Sequence, residues 1–474
     1  MTNLTTVFGV VFSIYLLLMI TVGYFSSRLM LSPVDFFLGN RSLKAWVTAI
    51  SSTASSESAW AVLGTVGLAY KDGLSVFWFL PGCLMGYALN WLFVAERLRK
   101  YSRQLHAITI PDFLESRFKD ETHAIRLIAV LIIFSCMMAY MAAQFTAIGK
   151  TFDSIFNIPY SVSIPIGAVV ILFYTAMGGF LAVAWTDFFQ GLIMVISLVI
   201  LALVAVAELG GWSNIISQLN QTEPEVLAWR GNKSLPIFLG SVIGLLGIGL
   251  GYPGQPHVLN RYMAAKDSKT IRQGTWIAMG WGIVVYSSAI VLGISGRLLI
   301  PNLLDPEHLF PRVAEMLLPT IASAVVLMGV LAAIMSTVSA QIIVATSAVA
   351  HDIFRKLLHR EPTHEKLLLI SRITVVVVGL GAMIIALTEV RVIFWFVLFA
   401  WSGLGASFGP VILWALYSDK TTRQGAIAGM LTGFITTLLW KATGLSESIV
   451  YELVPAFLFA FIMVGLVSKV TRKV

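Results

Sequence analysis

Ala49-Ile50-Ser51-Ser52-Thr53-Ala54-Ser55-Ser56-Glu57-Ser58-Ala59-Trp60 lies inside an otherwise apolar run, yet seven of its twelve residues are Ser, Thr or Glu. A lipid-facing helix has no use for such a row. A carboxylate at bilayer depth costs a few kcal/mol unless it faces a cavity or a partner. A second interrupted run is Gly244-Leu245-Leu246-Gly247-Ile248-Gly249-Leu250-Gly251-Tyr252-Pro253-Gly254-Gln255-Pro256, with five glycines and two prolines. In a helix interior each glycine costs about 1 kcal/mol relative to alanine, and each proline about 3. Irregular backbone survives at membrane depth only where protein or a polar cavity covers it. Close packing of small residues against neighbouring helices is the alternative account of both runs. It leaves Glu57 unexplained in the first, and the Tyr-Pro-Gly-Gln-Pro break in the second.

The rest of the chain frames these two breaks. Of 474 residues, 58% are hydrophobic and 12% are charged, about half the charge density of a soluble protein. That excludes a soluble enzyme, a nucleic-acid-binding module and a disordered scaffold. One crossing needs about 20 apolar residues, which divides the chain into about thirteen spans. They lie near 5–27, 45–70, 74–96, 125–149, 160–178, 185–207, 235–257, 273–297, 319–349, 368–388, 393–417, 425–441 and 453–468. The first has no small-residue cleavage site after it and reads as a helix, not a signal peptide. The longest polar segment, 208–234, reads as an external loop. Cys83 and Cys136 both sit in apolar runs, so neither a disulfide framework nor a metal set is implied. The histidines are scattered, with no HExxH, nucleophile elbow or Walker A loop, which argues against an enzyme.

The net charge of +8 is a matter of sidedness rather than of an anionic partner. With the N-terminus outside and the C-terminus cytoplasmic, most of the lysines and arginines fall in inner loops, as a cell-membrane protein requires. The two breaks then occupy the second and seventh spans, at matching places in two five-helix halves, 45–207 and 235–417. One flanking helix (5–27) precedes them and two (within 425–468) follow. Such paired breaks point to an inverted-repeat transporter with its site near the membrane midplane. The expected fold class is an all-α polytopic membrane protein, with residues 1–474 forming a single unit.

A third element is Ala332-Ala333-Ile334-Met335-Ser336-Thr337-Val338-Ser339 in the ninth span. Neighbouring hydroxyls at Ser336 and Thr337 stand about 100° apart around a helix, so both reach one ion at its side. Carbonyls freed by an unwound helix would complete an oxygen cage for a hard monovalent cation. The alternative is that each hydroxyl bonds back to a carbonyl one turn earlier. Spacing alone does not separate the two.

Ser51–Trp60, Gly178-Gly179-Phe180-Leu181-Ala182-Val183-Ala184-Trp185-Thr186-Asp187, Gly249–His257 and Ala333–Ser339 together resemble the sodium:solute symporters, and within them the bacterial sodium/proline symporters. Supporting segments are Phe37–Leu43 and Ile110–Phe118, and the likeness runs from about residue 8 to the C-terminus. The resemblance implies the LeuT-type fold, ten core helices in two inverted five-helix repeats with flanking helices. It also implies import of a small solute by alternating access, with sodium (Na+) as the coupling ion and no organic cofactor. The implied partners are that solute, sodium and the lipid bilayer, with no nucleic acid and no obligate protein partner.

Carried over by position, the resemblance assigns sodium to the carbonyls of Ala54, Glu57 and Ala333 and the hydroxyls of Ser336 and Thr337. Asp187 matches an aspartate on the sodium path; a structural ion pair or a helix cap is its other account. The solute-lining positions are Ser56, Ser58, Trp60, Tyr140, Ile248, Tyr252 and Pro256. Two of these depart from the proline symporters, which carry an aspartate at the place of Ser56 and a tryptophan at that of Ile248. Ala340 stands where some members use a further serine for a second sodium. Proline or another small amino acid is the implied solute, with a small carboxylate, a sugar or a vitamin as the alternative. A solute-binding membrane sensor is the competing class. The Glu57 side chain has two accounts: contact with the solute in the cavity, or capping of the second half-helix, where the dipole favours a carboxylate.

Overall fold

Backbone in hydrocarbon must satisfy its N–H and C=O groups within its own segment, so an apolar chain of this kind becomes helix. A computed structural model describes residues 2–28, 33–156, 158–230, 233–358, 362–388 and 393–472. Among them no strand forms, and Leu43 and Ala265 make an isolated bridge. The first helix is α1 (Thr2–Ser27), and α2 (Ala45–Ala59) follows it. Next come α3 (Thr65–Asp72), α4 (Phe79–Ala88), α5 (Ile110–Phe118), α6 (Ala124–Phe156) and α7 (Tyr160–Glu208). The second half holds α8 (Leu235–Gly247), α9 (Pro256–Met263), α10 (Ser268–Leu299), α11 (Thr320–Ser347), α12 (His364–Ala386) and α13 (Ile393–Tyr417). Two more, α14 (Arg423–Ala442) and α15 (Leu453–Thr471), complete the chain.

Among the described residues, eleven helical runs are long and apolar enough to cross a bilayer. Thirteen are expected from the spacing of apolar segments, and the difference lies in two runs. Residues 45–104 form one run of 60 residues and residues 160–208 one of 49, whereas a single pass takes about 20. Each is interrupted at a glycine with positive φ: Gly73 at 61° and Gly179 at 57°. A Cβ on Gly73 would lie 2.1 Å from the Val226 carbonyl oxygen, so only glycine fits that turn. Length therefore counts as one segment what sequence spacing counts as two.

The stretch 208–234, expected to be loop, contains a helix, Trp212–Thr222, and a short turn, Pro224–Leu227. Ile215 and Leu219 are buried; four residues apart, they form an apolar stripe that a polar loop would lack. Side-chain caps start two of the helices: Thr109 accepts the Asp112 N–H at α5, and Asp267 accepts the Thr270 N–H at α10. Each satisfies an amide that the first turn leaves without a partner. In α11 and α13, 83% of the most apolar window is buried, against 22% in α1. Those two helices form the centre of the bundle, with α1 on its rim.

Candidate functional site

The serine-rich second span is helical as far as Glu57 and then breaks. Ser58 takes φ 48° and ψ −164°, a left-handed conformation that costs a non-glycine residue roughly 1–3 kcal/mol. The surroundings hold it there. The Ala59 N–H, released from the helix ladder, donates to Gln144 Oε1 on α6 at 3.1 Å. Trp60 Nε1–H donates to the Ser56 carbonyl at 2.9 Å, and the Ser58 hydroxyl lies 3.4 Å from that of Tyr140. The Glu57 carbonyl accepts the Trp60 N–H and keeps its second lone pair. Its carboxylate is wholly buried and makes no capping hydrogen bond at the start of the following half-helix. Instead it accepts from Tyr87 on α4 at 2.8 Å and from Trp281 on α10 at 2.6 Å.

The seventh span breaks between α8 and α9, where Ile248–Gly254 forms a 3-10 turn. Its glycines admit neighbouring groups. A Cβ on Gly251 would lie 1.9 Å from Trp401 Nε1, and one on Gly249 2.2 Å from the Gly82 carbonyl oxygen. The carbonyls freed by the break find side-chain donors. Trp401 Nε1–H donates to Ile248 O at 3.1 Å, Gln255 Nε2 to Gly251 O at 3.2 Å and Asn90 Nδ2 to Tyr252 O at 3.2 Å. Around this turn Tyr252 packs edge-on against Trp401 at 4.8 Å and Tyr87 at 4.7 Å between ring centroids. Trp60 lies against Tyr286 at 6.1 Å and Trp401 at 6.4 Å.

Of the expected solute-lining residues, Ser58, Trp60, Tyr140 and Tyr252 thus share one aromatic wall. Three do not join it. The Ser56 hydroxyl bonds back to Thr53 O at 2.8 Å. Ile248 lines a cavity of about 460 Å3 on the far side of the break, with Leu68, Leu245, Leu398 and Tyr451 on its apolar walls and Asp72, Lys233, Lys441 and Glu447 among its polar ones. Pro256 borders a void of about 10 Å3 between α9 and α11, beside Thr109, Asn260 and Asp352.

On α11 the Ser336 and Thr337 hydroxyls both donate to Ala333 O, each at 3.1 Å. The two accounts of this pair meet at one atom, since the back-bonded carbonyl is itself an expected ligand. Two of the expected sodium hydroxyls therefore each lie within hydrogen-bond reach of a third expected oxygen, Ala333 O, on a helix packed against α2. Asp187, two turns beyond the Gly179 bend, is wholly buried and pairs with Arg261 on α9 at 2.7 Å. Ser51 on α2 donates to the same carboxylate at 2.9 Å, and Ser339 on α11 lies 3.5 Å from its other oxygen. Arg261 is buried and also stacks over Phe180.

The sodium:solute symporter family model matches residues 36–433. The chain belongs to that family. This symporter is 35% identical to the high-affinity proline transporter PutP of Bacillus subtilis, over 96% of each chain. It is 34% identical to the osmoregulated proline transporter OpuE of the same organism, over 97% of this chain and 94% of that one. A sodium/proline symporter of Staphylococcus aureus is likewise 34% identical, over 98% and 93%. Among solved structures, a Na+-coupled sialic acid symporter in a substrate-bound outward-open state superposes with a TM-score of 0.81 at 18% identity, covering 100% of this chain and 98% of that one. MhsT in complex with L-phenylalanine superposes with a TM-score of 0.56 at 11% identity, covering 90% and 98%. The fold is that of the LeuT-type transporters. The protein is a membrane transporter rather than an enzyme, and sodium is its coupling ion.

Several residues that shape the site of this symporter carry no signal in the sequence. Gln144, Trp281, Tyr286 and Trp401 sit singly in apolar spans, where they read as core filler. Only one cue was available: a glutamine inside an apolar helix needs a partner at depth, and Gln144 finds the N–H freed at Ala59.

Proposed function

We propose that this symporter imports proline, or a small amino acid of similar shape, together with sodium across a bacterial cell membrane. The observation that carries the sodium half is the family match, together with the placement of Ala333, Ser336 and Thr337 on a buried stretch of α11 packed against the broken second span. In this reading the carbonyls of Ala54 and Glu57 close the cage from the broken second span. Hydroxyls and carbonyls suit an ion that must bind and then leave. Asp187 stands beside that path, joined to α11 through Ser339. The solute lies against Trp60, Tyr140, Tyr252 and the Ser58 hydroxyl, and the proline transporters among the relatives support its identity. Ser56 and Ile248, the two positions that depart from the proline symporters, stand apart from this wall, and Ile248 lines the cavity beside Tyr451.

Residues 45–207 and 235–417 serve as the two repeats, and their breaks at Ser58 and Ile248–Gly254 lie on either side of the site. The N-terminus is outside and the C-terminus cytoplasmic, following the distribution of lysine and arginine. Sodium raises solute affinity only through its preference for the competent state, and the coupling is reciprocal. One positive charge moving inward gains about 2.3 kcal/mol per 100 mV. The test is uptake of labelled proline into proteoliposomes with and without an inward sodium gradient. Uptake that follows the gradient supports the reading, and proline uptake indifferent to it overturns it.

A further inference from the structure

Glu57 is a carboxylate at the centre of the bundle, and among the described residues no lysine, arginine or histidine pairs with it. Its oxygens take separate donors: Tyr87 O–H on Oε1 and Trp281 Nε1–H on Oε2. The Tyr87 hydroxyl also lies 3.4 Å from that of Tyr286, which lies 3.0 Å from that of Tyr252. A row of hydroxyls therefore leads from the second span, through α4 and α10, to the broken seventh span. Every side chain in the row is buried. Packing explains none of this, because an apolar side chain would fill the place of Glu57 without the cost of burying a polar group.

The two ends of Glu57 face different tasks. In the reading given above, its carbonyl belongs to the sodium cage and Tyr252 belongs to the solute wall. The backbone that would bind sodium thus carries the carboxylate that orients Tyr87. We propose that the Glu57 side chain is the positioning residue that links the sodium site to the solute wall, through the hydroxyls of Tyr87, Tyr286 and Tyr252. Sodium on the carbonyl steadies the helix end at Glu57. The carboxylate then keeps the Tyr87 proton directed toward itself, leaving the Tyr87 oxygen as an acceptor for Tyr286. The Tyr286 oxygen is in turn open to the Tyr252 hydroxyl, whose orientation at the break becomes single-valued.

Glu57→Gln tests this while keeping the shape. Trp281 can only donate, so the amide oxygen must face it and the amide NH2 must face Tyr87. The Tyr87 hydroxyl then has to turn away and donate to Tyr286, which reverses the row. Tyr87→Phe removes the first link and adds no atom, so one variant remains informative if the other fails to fold.

The inference rests on the sodium-coupled proline reading, and binding of labelled proline to the purified protein at zero and saturating sodium separates the two. Wild type should show tighter proline binding with sodium. In both variants the factor by which sodium tightens proline binding should fall about tenfold, the size of one hydrogen bond to a charged group. Proline KM for uptake should rise with it. Wild-type binding that ignores sodium would remove the functional reading and the link with it. Sodium-dependent wild-type binding, with both variants keeping the full sodium factor, would overturn the link alone and leave Glu57 a packing residue.

Discussion

Arg261 Nη2 lies 2.7 Å from Asp187 Oδ2, with both side chains almost fully buried. The pair joins α9, just past the seventh-span break, to the second half of α7. Ser51 brings in α2, donating to Asp187 at 2.9 Å and accepting from Arg261 Nε at 3.1 Å. Removing one partner strands the other charge in a low dielectric, at a cost of roughly 3–5 kcal/mol. Asp187→Asn should therefore lower the unfolding temperature of the purified protein sharply. The double variant Asp187→Leu with Arg261→Met, which buries no charge, should recover most of that loss. If the double variant is stable yet takes up no solute, Asp187 serves the sodium path as well as the fold. An Asp187→Asn protein as stable as wild type would show that the pair holds nothing together.

Ser336 and Thr337 each place a hydroxyl 3.1 Å from Ala333 O. Ser336→Ala and Thr337→Ala each remove one oxygen from the proposed cage and little else. The sodium concentration for half-maximal uptake should rise about tenfold or more in each, with a smaller effect on protein stability. Unchanged sodium dependence in both would move the ion elsewhere.

Ser58 holds φ 48° without being glycine, which allows its backbone and side-chain roles to be separated. Ser58→Gly relieves the strain and loses the hydroxyl, whereas Ser58→Ala loses the hydroxyl and keeps the strain. Thermal unfolding should rank the glycine variant above the alanine variant by about 1 kcal/mol. Solute affinity should fall similarly in both if the hydroxyl contacts solute. Equal stability of the two would mean that the break is not strained at this residue.

Asp112 lies on α5, outside the membrane-crossing runs, with the Arg126 guanidinium at 2.7 Å. Burial alone would raise its carboxyl, but the neighbouring His351 ring and Arg126 hold it well below the usual carboxylate range. The folded value lies below the unfolded one, so the stability it contributes is complete above the unfolded pKa of about 4. That contribution disappears as the pH falls through the folded value. Unfolding temperature should therefore owe no slope to Asp112 between neutrality and about pH 5. Asp112→Asn should cost about 1–3 kcal/mol at neutral pH and flatten the acid limb of the profile. An acid limb identical to wild type would assign that sensitivity to other carboxylates.

Legibility followed the range of the interactions involved. The break at Ser58 was visible as a serine-rich row with one carboxylate, and that at Ile248–Gly254 as glycine and proline, because both are local statements about where a helix cannot continue. Trp212–Thr222 was missed because its apolar stripe is short and lies in a polar surrounding. The proposed solute wall was half visible. Tyr252 and Trp60 stand beside the breaks, whereas Trp401 and Tyr286 are distant aromatics in spans full of aromatics. Ile248 and Pro256 adjoin the right turn, but the direction of each side chain depends on how the 3-10 turn rotates it.

By itself the sequence determined that this chain crosses a membrane many times, that two of its helices break, and that uncharged oxygens cluster near the breaks. The bilayer enforces those features segment by segment, since each stretch of backbone must satisfy itself. Only the tertiary structure decided the partners of the few buried charges. Glu57 meets Tyr87 across 30 residues and Trp281 across 224, and Asp187 meets Arg261 across 74. Those meetings depend on the rotation and crossing angle of whole helices, set by the packing of the complete bundle, which no local pattern of residues contains.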